Sequence, residues 1–233
     1  RQVYRLSARD GDYSQIGRRE PGQLRKPLGM ATDDECNLYV ADQTAKRIVK
    51  YDQSGNYLNA FGGSDMFDRL SHVEVDAHGE RVYAVDTGGV SSDRHHVRVL
   101  DGMTGEVLFD IGRRGAGDGE LNLPRDIAMA PNGNIYVVDG GNFRVQVFGP
   151  DGAFVGNMGS IGNRTGQFSR PKGIDTDADG NVYVSDAAFG NFQIFNAAGQ
   201  LLMFVGNRGN DGGPGMFMLP SGLDGSPVSA CQG

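Results

Sequence analysis

The sequence has no tryptophan, two cysteines and four histidines, and no apolar run approaching the eighteen or so residues of a membrane span. Each shortage excludes something. Two cysteines, Cys36 and Cys231, are too few for a disulfide scaffold and lack zinc-site spacing. Positive charge is scarce too: 22 Lys and Arg against 29 Asp and Glu leave a net charge of −7, the opposite of the basic footprint of a generic nucleic-acid binder. There is no Ser-His-Asp spacing, Walker loop or dinucleotide fingerprint. "GRRGAGDGELNLP" is glycine-rich but opens a strand rather than a helix, so it makes a poor phosphate loop. The chain shows no cleavable leader and starts at Arg1, which reads as a processed or cut end.

What the sequence has is glycine, 37 residues without a collagen period, and an internal repeat. "LYVADQTAKRIVKYDQSGNYLNAFG", "VYAVDTGGVSSDRHHVRVLDGMTGEVLFDIG", "IYVVDGGNFRVQVFGPDGAFVGNMG" and "VYVSDAAFGNFQIFNAAGQLLMFVG" close on Gly62, Gly112, Gly159 and Gly206, at intervals of 50, 47 and 47. A further short strand precedes each phrase: "PLGMAT", "SHVEVD", "PRDIAM" and "PKGIDT". Val, Ile, Tyr and Phe alternate with polar residues as half-buried strands require, giving four strands per unit, here a to d. The a–b connections are "DECN", "AHGE", "PNGN" and "ADGN", and the c–d connections each carry a glycine suited to a tight hairpin. Cys36 replaces the glycine of the first a–b turn, at a cost of roughly 1 kcal/mol if the turn keeps its geometry.

Four antiparallel strands at this period describe an all-β fold, a β-propeller of four-stranded antiparallel blades. The missing tryptophans, and the lack of a Gly-His…Trp-Asp pattern, argue against the WD40 type. The run "P-x-G-I…D-G-N-V-Y-V-x-D…N-x-R-V-Q-V-F…G-x-F-x-x-x-x-G", read across Pro124 to Gly206, resembles the NHL repeat. The resemblance covers essentially the whole chain. It implies a propeller, usually of six blades, and no single activity. The expected layout of the single propeller is a partial blade over 1–17, blades over 18–62, 63–112, 113–159 and 160–206, and the start of another over 207–233. In detail, Val3 to Gly17 read as strands c and d, and "PSGLD", Pro220 to Asp224, as strand a. The termini complete a fifth blade together, or the chain is a piece of a longer, six-bladed protein; the piece is the expectation.

Repeat proteins place function where repeats disagree. Nine residues separate Asp42 from Tyr51, Asp139 from Phe148 and Asp186 from Phe195, but fourteen separate Asp86 from Leu100. That insertion carries Asp93, Arg94, His95 and His96, read either as a tolerated surface loop or as a binding or metal loop. The d–a linkers on the same face collect Arg18, Arg19, Arg113, Arg114, Arg164 and Arg208, each close behind a strand-d glycine. Guanidinium groups suit carboxylates and phosphates, but these arginines could equally pair with nearby aspartates. The "Y-V-x-D" aspartates, Asp42, Asp86, Asp139 and Asp186, read as structural acceptors for N–H groups of the b–c turn, and Asp139 with Asn142 and Arg144 resembles the blade-locking set of the NHL family. His72, Glu74, Asp126, Asp175 and Asp224 fall at channel-lining positions of strand a, where calcium would suit an oxygen-rich ring.

The function this supports is a non-catalytic interaction module whose arginine-rich loop face docks a protein partner or an anionic ligand. The resemblance also admits a metal-dependent enzyme similar to peptidyl-hydroxyglycine lyase, in which histidines from several blades hold zinc. Here the four histidines, His72, His78, His95 and His96, fall in one repeat, so that arrangement is not reproduced. Some NHL propellers bind RNA, but the net charge and the few aromatics in the linkers disfavour nucleic acid. The terminal "CQG" would open a haem-attachment motif if "CH" followed, making the propeller a module of a c-type cytochrome. That reading and a disulfide at Cys36 or Cys231 both imply an oxidising, extracytoplasmic compartment.

Overall fold

The computed structural model describes residues 3–6, 11–208, 216–218 and 220–223; Asp224 and Cys231 lie outside them. Every regular element among them is a strand, and none contains a helix long and apolar enough to cross a membrane. β1 (Val3–Leu6) and β2 (Tyr13–Ile16) form an antiparallel pair. Four antiparallel four-stranded blades of the β-propeller class follow. They are β3 (Pro27–Thr32) to β6 (Tyr57–Gly62), β7 (Leu70–Val75) to β10 (Val107–Ile111), β11 (Pro124–Met129) to β14 (Phe154–Met158), and β15 (Pro171–Thr176) to β18 (Leu201–Val205). Within each, the second and third strands complete a meander of sequential hairpins: β4 (Leu38–Asp42) and β5 (Arg47–Tyr51), β8 (Arg81–Asp86) and β9 (His96–Asp101), β12 (Ile135–Asp139) and β13 (Arg144–Phe148), and β16 (Val182–Asp186) and β17 (Asn191–Phe195). Residues 220–223 carry no strand.

The described residues divide into two compact units, the first running to Asp110 and the second beginning at Ile111. Each has its own core. In the first, Tyr39, Ile48, Phe67, Leu70, Val73, Val82 and Leu100 interdigitate between neighbouring blades. Ile16, Leu24, Val40, Val49 and Tyr51 join the β1–β2 pair to the first blade. In the second, Tyr136, Val138, Val145, Phe168, Ile174, Val184 and Phe195 do the same. A strand-b residue therefore has no solvent face: all five residues of β12 are buried. That is why these strands read as near-continuous apolar runs.

Two devices repeat around the blades. The first is a plug. After each strand d the linker returns one apolar side chain beneath the closing glycine: Leu24 under Gly17, Phe67 under Gly62, Leu121 under Gly112, Phe168 under Gly159 and Phe217 under Gly206. Any Cβ on those glycines would overlap the plug, and all five also have positive φ, so both space and backbone demand glycine. Short parallel contacts fix the linker: Arg114 bridges Leu121, Ile161 bridges Phe168, and β19 (Asn207–Arg208) pairs with β20 (Met216–Phe217). The a–b turn meets the backbone expectation at Cys36, whose φ of 61° matches the 69–83° of Gly79, Gly133 and Gly180.

The second device is a carboxylate latch at the end of strand b. Asp42, Asp86, Asp139 and Asp186 are all fully buried. Each accepts backbone N–H groups from the residues entering strand a. Arg25 and Lys26 donate to Asp42 (2.6 and 2.9 Å), Asp68 and Arg69 to Asp86 (2.7 and 2.8 Å), Asn122 to Asp139 (2.7 Å), and Ser169 and Arg170 to Asp186 (2.7 and 2.9 Å). Most also take N–H groups of the b–c turn, as at Gly88 onto Asp86 (3.0 Å) and Ala188 onto Asp186 (2.9 Å). In the third blade the latch is complete. Asn142 Nδ2 (2.8 Å), Arg144 Nε (2.9 Å) and Gln146 Nε2 (2.9 Å) all donate to Asp139 Oδ2.

Asp139→Ala should destabilise the second unit by about 3 kcal/mol or more, because it strands Arg144, Gln146 and a linker N–H around an empty acceptor. Urea unfolding checks this against Asp151→Ala, an exposed aspartate, expected to shift stability by less than about 0.5 kcal/mol. Equal effects would mean the latch adds nothing.

Candidate functional site

Register fixes which loops share an end of a blade. Pro124 pairs with Asp139 and Pro171 with Asp186, so the start of strand a lies against the end of strand b. The linker arginines, the b–c turns and the first residues of strand a therefore emerge together at one end of each blade.

Within the first unit, Arg18 and Arg19 are exposed, and their side chains make no hydrogen bond or ion pair among the described residues. Within the second unit, Arg113 is 82% exposed and donates Nε and Nη2 to Glu120 Oε1, both at 3.1 Å. The Gly117 N–H and then Arg113 hold the Glu120 carboxyl below its usual range. Arg114 and Arg164 are exposed, and the Arg164 side chain is unpaired among the described residues. The Arg208 side chain lies outside what the structure describes. The pairing alternative thus holds at Arg113, whereas Arg18, Arg19 and Arg164 remain available to an outside partner.

The insertion at 87–97, read as a tolerated surface loop or as a binding or metal loop, is held as follows. Asp93 is exposed and its carbonyl accepts the His95 N–H (3.0 Å). Ser92 donates its hydroxyl to Asp68, and Arg94 Nη1 lies 3.9 Å from the same carboxylate. His95 is 1% exposed with its ring bonded to the Gly89 carbonyl (3.0 Å), and His96 is 6% exposed at the start of β9, opposite Asp86. Neither histidine faces solvent. The physical reason is register: His96 holds the position of Arg47, Arg144 and Asn191 in the other blades, beside the latch. Its Nε2 is buried without a hydrogen-bond partner among the described residues, as are Arg47 Nε and Asn191 Oδ1.

One group of residues went unread in the sequence. Two positions after His96, Arg98 grips Asp110 with two 2.8 Å bonds and donates Nη1 to the Met66 carbonyl (2.8 Å). Gln146 and Gln193 occupy the same position. Gln193 clamps the linker through Gly166 N–H (2.8 Å) and the Gln167 carbonyl (2.9 Å), and Gln146 does so through Gly119 N–H (2.9 Å) and the Glu120 carbonyl. A polar residue recurring between apolar strand-c neighbours was the available signal.

The carboxylates read as channel-lining accept nearby backbone N–H groups. Glu74 accepts the Val75 N–H (3.0 Å) and Asp175 that of Thr176 (2.7 Å). Asp126, 7% exposed, accepts Ile127 and Ile174 N–H groups at 3.0 Å each. His72 lies in β7 against Gly29. Among the described residues no three His, Cys, Asp or Glu side chains come together as a metal-binding group.

Comparison with known proteins follows the same lines. Residues 121–148, the blade with the complete latch, match the NHL repeat family. NHL repeat-containing protein 3 of Mus musculus is 30% identical over 113 residues, 45% of this chain. A RING finger protein of Caenorhabditis elegans is 52% identical over 44 residues, 19% of this chain and 4% of its own length. The chain spans about a third of the length of the mouse relative, 31%. Among solved structures it is similar to a nidogen/laminin complex (TM-score 0.64, 18% identity, 87% of this chain and 71% of that one). It is also similar to a gluconolactonase from Xanthomonas campestris (0.62, 19%, 87% and 67%) and to streptogramin B lyase (0.59, 16%, 76% and 53%). At these identities the structures share the fold alone.

Burial pushes the His96 imidazole below its ordinary pKa; Asp110 and Asp86 pull it up, and Arg98 and Arg94 push it down. The unfolded chain therefore takes up a proton on His96 at a higher pH than the folded protein does. Stability should fall as pH drops below about 6.5, the ordinary histidine value. His96→Asn should flatten this dependence between about pH 7 and 5, read as urea midpoints across that range. An unchanged slope would place the acid sensitivity elsewhere.

Proposed function

Starting from a chain that belongs to the NHL-repeat β-propellers, we propose a non-catalytic interaction module that holds an acidic protein partner or anionic ligand through the arginines of its linker loops. The observation that carries this is the state of Arg18, Arg19 and Arg164: exposed and unpaired among the described residues of a chain with net charge −7. In so acidic a protein an arginine can usually find a carboxylate, and Arg144 and Arg98 do. Guanidinium groups left without one form charge-assisted, bidentate bonds readily and are enriched at binding hot spots. Their perch on plugged, latched linkers lowers the entropy lost when they engage. A propeller of similar fold, solved in a nidogen/laminin complex, supports this kind of use. The lyase-like alternative is weakened by the burial of His95 and His96, which takes half of the chain's histidines away from any surface site.

Placement in an extracytoplasmic compartment belongs to the same proposal. Cys36 is disulfide-bonded, and disulfides persist where the surroundings are oxidising.

The test uses the full chain against an immobilised poly-glutamate surface. Arg18→Gln with Arg19→Gln should weaken binding about tenfold and reduce its salt dependence, since two charge-assisted contacts are lost. Gln53→Glu with Ser54→Glu, exposed hairpin positions of the same unit, change net charge equally and should leave binding nearly intact. Equal losses in both variants would reduce the effect to net charge and sink the proposal.

A further inference from the structure

The linker ahead of β15 carries a motif that neither the latch nor the plug uses. It reads "SIGNRTGQFSR", from Ser160 to Arg170, and contains Asn163-Arg164-Thr165. Asn163 is the one asparagine of the chain with Ser or Thr two positions on, and the residue between them is not proline. That spacing is the acceptor sequence for N-linked glycans, and it serves on surface loops of exported proteins.

The linker ahead of β11, "RRGAGDGELNL" from Arg113 to Leu123, shows that the fold does not require these side chains. The two linkers have the same length and the same internal bonds. Gly115 and Gly162 donate to the carbonyls of Leu121 and Phe168 (3.0 and 3.1 Å), and the Glu120 and Gln167 N–H groups to those of Gly117 and Arg164 (3.2 and 3.0 Å). The side-chain acceptors match as well: Glu120 takes the Gly117 N–H and Gln167 the Arg164 N–H, both at 3.0 Å. Asn163 and Thr165 therefore stand where the other linker has Ala116 and Asp118. Asp118 is engaged there, accepting Asn157 Nδ2 (2.8 Å). Thr165 inherits no such contact. Neither the Asn163 nor the Thr165 side chain makes a hydrogen bond among the described residues, and Asn163, Arg164 and Thr165 are all exposed. The turn that carries them is held from below, by Phe168 under Gly159 and by Gln193 on the Gly166 N–H (2.8 Å) and the Gln167 carbonyl (2.9 Å). An amide and a hydroxyl two residues apart thus stand open on a fixed turn, with nothing in the blade competing for either.

From this we infer that Asn163 is a site of N-glycosylation. The donor is an oligosaccharide carried on a polyprenyl pyrophosphate. A bond forms between Asn163 Nδ2 and C1 of the first sugar while the bond from C1 to the pyrophosphate oxygen breaks. The lipid pyrophosphate leaves with that electron pair, and the amide nitrogen gives up one proton. Thr165 offers its hydroxyl to the transferase. The inference rests on the extracytoplasmic placement proposed above, because donor and transferase act on exported chains.

Peptide mapping by mass spectrometry of the protein isolated from its native host decides it, before and after an amidase that removes N-linked glycans. The expected result is a glycan on the peptide containing Asn163. The amidase should release it and leave aspartate at that position, marked with heavy oxygen when the digestion is run in heavy-oxygen water. Asn163→Gln and Thr165→Ala, made in the same host, should each lose the glycan completely at an unchanged thermal midpoint, whereas Thr165→Ser should keep it. Asn132→Gln, an exposed asparagine outside the motif, should also keep it. A bare Asn163 in the native protein, or a glycan that persists in Asn163→Gln, overturns the inference. The same map reads the redox state of Cys36, which keeps the two readings apart. An oxidised Cys36 beside a bare Asn163 removes the site and leaves the placement standing. A glycan beside a reduced Cys36 keeps the site and removes the disulfide argument for the placement.

Discussion

The carboxylate at the end of each strand b sits where an unpaired charge would cost several kcal/mol, and it avoids that cost by accepting N–H groups from its own blade. One set comes from the residues entering strand a, the other from the b–c turn. A single buried group therefore fixes where the linker ends, where the first strand begins and how the b–c turn folds. The backbone at the linker end of each blade takes its position from that contact. Side-chain acceptors suit the task because linker N–H groups at a strand's start have no ladder partner.

The closing glycine and its plug do for the other end of the linker what the carboxylate does for this one. Leu121 and Phe168 are fully buried beneath Gly112 and Gly159, so a linker pinned at both ends can expose arginines without being loose itself. Between the pins, Gln146 and Gln193 satisfy the remaining linker groups, and Arg98 does the same in the first unit with Asp110 as its counter-charge. Rigid presentation matters for recognition, because less side-chain and loop entropy is lost on binding. Burial and neighbouring charge also explain why the inserted histidines serve structure: the slot beside a latch is dry, and a protonated ring there would be penalised.

Much of this fold was legible in the chain itself. Strand period, turn glycines and the 47-residue spacing place each complete blade, and the "Y-V-x-D" aspartates announce themselves as acceptors for the b–c turn. Their second duty was not legible, because the linker N–H groups they hold lie 16 to 18 residues earlier and carry no side-chain signature. Cys36 was read correctly as a residue in a glycine's conformation. The place of His96 was not legible either: two adjacent histidines in a long insertion give no register, and only pairing with Asp86 shows that His96 starts a strand.

The sequence by itself determined the blade, its order of strands and the end from which the arginines emerge, because hydrophobic period and turn chemistry are local properties. Tertiary structure alone decided which charges are spent and which are free. Arg113 meets Glu120, whereas the Arg164 side chain of the next linker makes no hydrogen bond or ion pair among the described residues. Coulomb energy depends on distance and burial, and neither is written in residue order.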